Sequence, residues 1–159
     1  METVPSPTLF WITIQNAASG RLLQSISGAS NVSSVLRPIG SVDYSIHWRL
    51  VEHDRTGIYG LVNRETRQFL SNVDSAVGGM SIEMSSSMNG DSENWMLAAA
   101  QGFTAIVNRR TGHTLDHYAG KSIQAYESGF ESPYRQWSIA PVCFSFELSM
   151  LRFVSKRLA

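Results

Sequence analysis

A short pattern occurs three times along this chain, and it limits the possible folds more than any other feature of the sequence. Each copy has an apolar residue, any residue, Asn, any two residues and then Ser or Thr, with a Leu four residues later. The three Asn residues, spaced 47 and 45 residues apart, are Asn16, Asn63 and Asn108. A Trp closes each copy, and these are Trp48, Trp95 and Trp137. Self-similarity at a period of about 40–50 residues indicates a repeat architecture.

Each repeat contains four short segments typical of strands, rich in β-branched, aromatic and aliphatic residues and separated by Gly, Ser and Asn. The segments are 10–15, 22–26, 34–37 and 47–51, then 58–62, 68–71, 81–84 and 95–98, then 103–107, 113–117, 122–126 and 136–140. We align the third strands at the starting pairs Ser34-Val35, Ser81-Ile82 and Ser122-Ile123. The sequence therefore predicts an all-β assembly of twelve strands with three-fold pseudo-symmetry.

No single repeat can bury its apolar face alone, so three repeats are expected to share one core. The three Trp residues and the three Leu residues that follow the pattern, Leu23, Leu70 and Leu115, are the predicted core. We predict one domain over residues 1–142, with repeats at about 10–52, 57–99 and 102–141.

A C-terminal tail, 143–159, falls outside the repeats. Residues 144–150 alternate apolar and polar side chains, as a half-buried strand does, whereas 151–158 also fit a short basic helix. The tail either packs on its own barrel or forms a homodimer contact; a membrane-perturbing helix has only three basic residues in its favour.

Composition excludes several classes of partner. Thirteen basic and thirteen acidic side chains cancel, which argues against nucleic acid and against electrostatic binding to anionic membranes. The single cysteine, Cys143, excludes an internal disulfide framework. No signal peptide and no apolar run long enough to span a membrane is visible, so we expect a cytoplasmic protein or one released without a signal peptide.

The sequence shows no catalytic motif, which predicts a protein without enzymatic activity, metal or cofactor. His113 and His117 are four residues apart, a spacing that would suit a metal on a helix, but they fall on a predicted strand.

Three repeats of 42–47 residues, each closed by a Trp that follows polar residues, resemble the ricin-B-like β-trefoil lectin family. The closing triplets are Ile46-His47-Trp48, Glu93-Asn94-Trp95 and Arg135-Gln136-Trp137. The Trp of the family's Gln-x-Trp signature is kept three times, but its Gln is not. The likeness covers roughly residues 10–141, and the short form without disulfides or signal resembles the cytoplasmic lectins of mushrooms. It implies a twelve-stranded β-trefoil.

The resemblance also implies a carbohydrate site, made of an acidic residue on the second strand, an aromatic ring ending the third, and an Asn-Gln pair before the Trp. In the third repeat Asp116 and Tyr126 match the first two places, while Tyr134 and Arg135 replace the amides. The candidate carbohydrate-binding residues are therefore Asp116, His117, Tyr126, Tyr134, Arg135 and Gln136, with Gly120 and Gly129 on the rim. A structural alternative is that Asp116 ends its strand and caps the turn at Ala119-Gly120.

The other repeats lack this combination. The first has Gln24 at the acidic place and Pro38 at the aromatic one, and the second has Ser71 and Met84. Asp43, Tyr44 and His47 could form a different site in the first repeat, although loop residues of these types are usually solvated turn formers. We therefore predict one working site.

The leading hypothesis is a non-enzymatic lectin for glycans of glycoproteins or glycolipids. The galactose or N-acetylgalactosamine type comes from the resemblance alone. A single site of this kind binds weakly, so useful binding implies multivalency and hence an oligomer. A protease inhibitor acting through an exposed loop, 73–80 or 27–33, is the main alternative, and a protein-binding trefoil such as a cytoskeletal module is the third.

Overall fold

The computed structural model describes residues 10–29, 32–53, 57–73, 81–88, 90–127 and 129–142. The tail 143–159, with its predicted strand, helix and dimer contact, lies outside the described residues, so the domain division at residue 142 stays a prediction. Within the described ranges, no helix is long and apolar enough to cross a bilayer.

The twelve predicted strands are confirmed, with most boundaries one or two residues from those expected. The first repeat has β1 (Ile12–Asn16), β2 (Leu22–Ser25), β3 (Val32–Val35) and β4 (Trp48–Glu52). The second has β5 (Tyr59–Asn63), β6 (Phe69–Val73), β7 (Ser81–Ser85) and β8 (Trp95–Ala100). The third has β9 (Phe103–Asn108), β10 (Thr114–Tyr118), β11 (Ser122–Tyr126) and β12 (Trp137–Pro141). A 3₁₀ turn precedes each closing strand, at Tyr44–Ile46, Asp91–Glu93 and Pro133–Arg135.

The first and last strands of each repeat form a closed six-stranded barrel. Around it β1 pairs with β4, β4 with β5, β5 with β8, β8 with β9, β9 with β12, and β12 with β1, all antiparallel. The hairpins β2–β3, β6–β7 and β10–β11 contact one another through β3, β7 and β11 and so form a cap. Closure leaves the six barrel strands without an unpaired edge. The fold is a β-trefoil, as predicted.

One strand alignment was wrong. Leu23 pairs with Ser34 in the first hairpin, as Leu115 pairs with Ala125 in the third. Val32, and not Val35, is therefore the counterpart of Ile123. Side chains on a strand alternate between its two faces, so the hairpin register decides which residue reaches the core. Val32 is buried accordingly, whereas the strand predicted at 34–37 begins two residues too late.

The core is centred on the predicted Trp and Leu residues. All three Trp and all three Leu side chains are completely buried. Each indole N–H donates to the carbonyl of the Leu in its own repeat, at 2.9–3.0 Å, and the pairs are Trp48 with Leu23, Trp95 with Leu70 and Trp137 with Leu115. The indole thus fills the core and satisfies its only polar group at once.

The repeated Asn joins neighbouring repeats. Its Oδ1 accepts from the backbone N–H groups two and three residues later, which closes the turn between the first two strands. Its Nδ2 donates to a backbone carbonyl three residues before the Trp of the preceding repeat, at 2.8 Å each time; the pairs are Asn16 with Tyr134, Asn63 with Ser45 and Asn108 with Ser92.

The repeated Ser or Thr makes a second connection between repeats. Its hydroxyl contacts a buried polar side chain on the second strand of the preceding repeat. The pairs are Thr66 with Ser25 at 3.3 Å, Thr111 with Asn72 at 2.7 Å and Ser19 with His117 at 2.7 Å. The repeated Asn and Ser or Thr of the sequence pattern therefore form the hydrogen bonds that join the three repeats in a ring.

Candidate functional site

The candidate site lies where the β10–β11 hairpin meets the 3₁₀ turn Pro133–Arg135. A tight turn with Ala119 and Gly120 at positive φ (49° and 71°) closes the hairpin. Its register pairs Asp116 with Gln124 and Thr114 with Tyr126. Asp116 and Tyr126 are therefore diagonal neighbours on one face of the hairpin, within reach of a long side chain that contacts both.

Arg135 is that side chain. Its Nε donates to Oδ2 of Asp116 at 3.1 Å, and its guanidinium carbon lies 4.2 Å from the centre of the Tyr126 ring. The other oxygen, Oδ1 of Asp116, is buried and has no hydrogen-bond partner within the described part of the chain. Asp116 thus pairs with the 3₁₀ turn and does not cap the Ala119-Gly120 turn, which is closed by the backbone carbonyls of its own strand.

Tyr134 and the two predicted rim glycines lie around this pair. Tyr134 is about one-third exposed, and its ring approaches Gly120. The carbonyl of Gly129 accepts from Nη1 of Arg135 at 3.1 Å. The structure therefore brings Asp116, Tyr126 and Arg135 together, with Tyr134 at one side.

Gln136, in contrast, is buried. Its amide donates to the carbonyl of Phe130 at 2.8 Å and to the side chain of Gln101 at 3.4 Å. These bonds hold the loop that precedes the 3₁₀ turn. A direct contact of Gln136 with a glycan stays a prediction, and its position in the structure is that of a support.

His117 is also fully buried, between two repeats. The hydroxyl of Ser19 donates to Oδ1 of Asn16, so Nδ1 of His117, 2.7 Å away, carries a hydrogen and donates to that hydroxyl. Nε2 of the neutral ring then accepts from the hydroxyl of Ser34 at 3.0 Å, and that hydroxyl accepts in turn from Nε of Arg21. Burial lowers the pKa of His117 below its usual value, and Arg21 lowers this pKa further, while Asp116 opposes the shift. A neutral ring fits this arrangement, in which His117 positions β10 instead of lining an open surface.

The equivalent places in the other repeats hold different chemistry. In the first, the amide of Gln24 donates to Ser45 at 2.8 Å. In the second, Ser71 donates to a carboxylate oxygen of Glu93 at 3.3 Å. The hairpin registers pair Val35 with Leu22 and Ser85 with Phe69, as Tyr126 pairs with Thr114. Val35 and Ser85 are therefore the counterparts of Tyr126, and our assignment of Pro38 and Met84 to that place was wrong. Among the described residues, only the third repeat combines a carboxylate and a ring at these positions.

Sequence reasoning missed Glu93. It is buried two residues before Trp95, at the position that Arg135 has before Trp137, and its Oε2 has no hydrogen-bond partner among the described residues. The acid of the second repeat is thus on the 3₁₀ turn and its hydroxyl partner on the strand, whereas in the third repeat the acid is on the strand and its arginine partner on the 3₁₀ turn. A charged residue two positions before the repeated Trp was the available signal.

The alternative cluster in the first repeat is a turn. Burial alone would raise the pKa of Asp43, but hydrogen bonds from the hydroxyl and N–H of Ser45, with the Arg37 guanidinium, lower it below its usual value. Asp43 caps the 3₁₀ turn in this way. Arg64 covers the ring of Tyr44 at 3.9 Å. Within the described ranges, no group of three or more His, Cys, Asp or Glu side chains is placed to hold a metal ion.

The fold resembles solved structures. The designed three-fold symmetric protein ThreeFoil matches with a TM-score of 0.70 and 24% identity, over 82% of this chain and 97% of that one. A GlcNAcα1-4Gal releasing endo-β-galactosidase from Clostridium perfringens matches with a TM-score of 0.73 and 21% identity, over 85% of this chain but only 33% of the enzyme. Both identities are low, so these likenesses show the fold alone.

At the level of sequence, no curated protein matches the chain. The model of the ricin-type β-trefoil lectin domain-like family matches residues 44–137, which is more than half of the chain. That span contains all three closing triplets with their Trp residues, together with the hairpin that carries Asp116 and Tyr126. The chain therefore belongs to the ricin-type β-trefoil lectin domain-like family.

Proposed function

We propose that this protein is a non-enzymatic lectin domain that binds glycans mainly through its third repeat. The observation that carries the proposal is the juxtaposition of the Asp116 carboxylate and the Tyr126 ring on one face of the β10–β11 hairpin. A pyranose needs these two groups together, an acceptor for its hydroxyls and a flat apolar face for its C–H groups.

Each side chain then has a defined task. Tyr126 stacks against the apolar face of the sugar ring, and Asp116 accepts hydrogen bonds from two adjacent hydroxyls. The Tyr134 hydroxyl or the Arg135 guanidinium donates to the remaining sugar oxygens from the side of the 3₁₀ turn. Because Gln136 and His117 are buried, they hold the 3₁₀ turn and β10 in place.

The proposed sugar is of the galactose or N-acetylgalactosamine type. Support for this choice comes from the family resemblance. It agrees with the name of the glycosidase with the similar fold, which releases GlcNAcα1-4Gal. One shallow site of this kind binds with a Kd in the high micromolar to millimolar range, or about 4–6 kcal/mol. Tight attachment to a cell surface then requires several sites on one particle.

A glycan array probed at high protein density tests the proposal. We expect binding to glycans with terminal galactose or N-acetylgalactosamine, and loss of this binding in Asp116→Asn and Tyr126→Ala. Tyr118→Ala is the matched control, because Tyr118 is an exposed tyrosine of the same hairpin that lies at its turn. Asp43→Asn is the matched control for the carboxylate.

Two results would contradict the proposal. One is a blank array together with inhibition of a protease, which would favour the inhibitor alternative. Most of loop 73–80 and part of 27–33 lie outside the described residues, so no observation favours that alternative now. The other is glycan binding that survives in both Asp116→Asn and Tyr126→Ala, which would place the site elsewhere.

A further inference from the structure

We infer that Arg135 acts as an internal ligand of the third-repeat site, so that a glycan binds only after this side chain moves aside. The inference rests on the proposed function, since it concerns how the same site is opened. It adds that Arg135 and the sugar compete for the same two groups, and that this competition lowers the affinity of the site for the sugar.

Two of the contacts of Arg135 are ones that the sugar would make. Its Nε donates to Oδ2 of Asp116 at 3.1 Å, where a sugar hydroxyl would donate. Its flat guanidinium lies 4.2 Å from the centre of the Tyr126 ring, where the C–H face of a pyranose would stack. One oxygen and one ring face cannot serve both partners at the same time, so the arginine and the sugar exclude each other.

The exposure of the pair supports closure of the site. The side chain of Asp116 is only 4% exposed beneath an Arg135 that is itself 17% exposed. Its second oxygen, Oδ1, is buried without a hydrogen-bond partner within the described ranges. An unsatisfied buried oxygen raises the free energy of the closed state. Movement of Arg135 would open both oxygens to the two adjacent hydroxyls of a sugar.

This closure is particular to the third repeat. The residues at the same place in the other two repeats, two positions before the Trp, are Ile46 and Glu93. Arg135 ends its 3₁₀ turn, and Nη1 is held by the carbonyl of Gly129 at 3.1 Å. The guanidinium lies at the end of a flexible side chain, so it can leave Asp116 by rotation about side-chain bonds.

Replacement of Arg135 by the Gln that the family has at this place provides the first test. A partly exposed ion pair and one cation–π contact are each weak, so their removal should tighten binding on the order of tenfold. We would titrate the full chain and Arg135→Gln with free galactose and with free N-acetylgalactosamine by calorimetry. Arg49→Gln is the matched control, because Arg49 covers the ring of Trp11 on the barrel, outside the third repeat, and should leave the affinity unchanged.

A second measurement needs no variant of Arg135. In the wild-type chain, the Nε–Hε resonance of Arg135 should carry a ring-current shift from Tyr126, and addition of galactose should remove it. A resonance that keeps its position while neighbouring hairpin amides respond to the sugar would contradict the inference.

The outcomes separate the two proposals. If the wild type binds galactose and Arg135→Gln binds it equally or more weakly, Arg135 is an ordinary glycan contact and only this inference fails. If neither protein binds either sugar, the proposed function fails, and the inference fails with it. Tighter binding by Arg135→Gln that disappears when Asp116→Asn is added supports both.

Discussion

Nδ2 of Asn16 in the first repeat donates to the carbonyl oxygen of Tyr134 in the third, across 2.8 Å. These residues are 118 positions apart in the chain, and their bond joins the last repeat to the first. The same Asn closes its own turn through Oδ1. One side chain thus serves both local folding and the closure of the ring, and the other two repeats contain the same arrangement.

Replacement of Asn16 by Ala should therefore lower the free energy of unfolding by about 2–3 kcal/mol, because it leaves a backbone carbonyl and two N–H groups without their partner. Ser19→Ala, which loses the hydroxyl contacts to Asn16, to His117 and to the backbone N–H of Arg21, should cost about 1 kcal/mol. Urea denaturation followed by tryptophan fluorescence measures both. Equal losses in the two variants would show that the bond to Tyr134 adds nothing.

Stability should fall as the pH decreases below about 6.5. Burial lowers the pKa of His117 and of His47 in the folded state. The unfolded chain, in which a histidine has its ordinary pKa near 6.5, then takes up protons that the folded chain does not bind. The stabilisation is complete above the unfolded pKa and is lost as the pH falls from there through the folded pKa. Denaturation curves between pH 5 and pH 8, a range that brackets this pKa, should show the decline. The slope should be smaller in His117→Gln; an unchanged slope would contradict the role assigned to this ring.

Arg67→Gly should stabilise the protein by about 0.5–1 kcal/mol. Arg67 has a φ of 58°, whereas the equivalent places after Asn16 and Asn108 have Gly20 and Gly112. A left-handed conformation strains any residue with a Cβ, so Gly relieves this strain in the folded state. Gly also increases the conformational entropy of the unfolded chain, which reduces the net stabilisation. Thermal unfolding measures the effect.

Gly112→Ala supplies the reciprocal test for the same conformation. A Cβ at Gly112 would meet no atom within 4 Å, so its cost, about 1 kcal/mol, would come from the backbone alone. A destabilised Arg67→Gly together with an unaffected Gly112→Ala would contradict the argument.

Trp137→Phe should lower the free energy of unfolding by about 2–3 kcal/mol. The change removes the indole N–H that satisfies the carbonyl of Leu115, and it leaves a cavity in a fully buried position. Chemical denaturation measures the loss, and near-ultraviolet circular dichroism shows whether the core stays ordered. A loss below about 0.5 kcal/mol would mean that the core repacks around the smaller ring.

The fold was predictable because the features that build it are repeated. Asn and Trp recur in every repeat, because the same hydrogen bond and the same buried ring need the same residue each time. The third strand of the first repeat was misplaced because loop lengths differ between repeats, so Ser34 was taken for a strand start when Val32 has that role. Register depends on cross-strand pairing, which one sequence does not display.

The candidate site was predictable only as a location. Asp116 and Tyr126 lie where the family resemblance implied, but sequence cannot show that Arg135 fills the space between them, because rotation about its side-chain bonds decides this. The position of Glu93 beside the second strand was not predicted for a related reason. Its carboxylate reaches the equivalent space from the 3₁₀ turn and not from the strand, and the two routes look unrelated in the sequence.

The Asn bonds that join the repeats, like the indole bonds within each repeat, end on main-chain oxygens: the three Asn amides and the three indoles all donate to backbone carbonyls. A carbonyl is present whatever residue carries it, so the ring imposes no side-chain identity at Ser45, Ser92 or Tyr134 through these bonds. Evolution can therefore alter those positions one at a time without the loss of these bonds. A symmetric protein of this kind has three independent places in which to acquire new specificities.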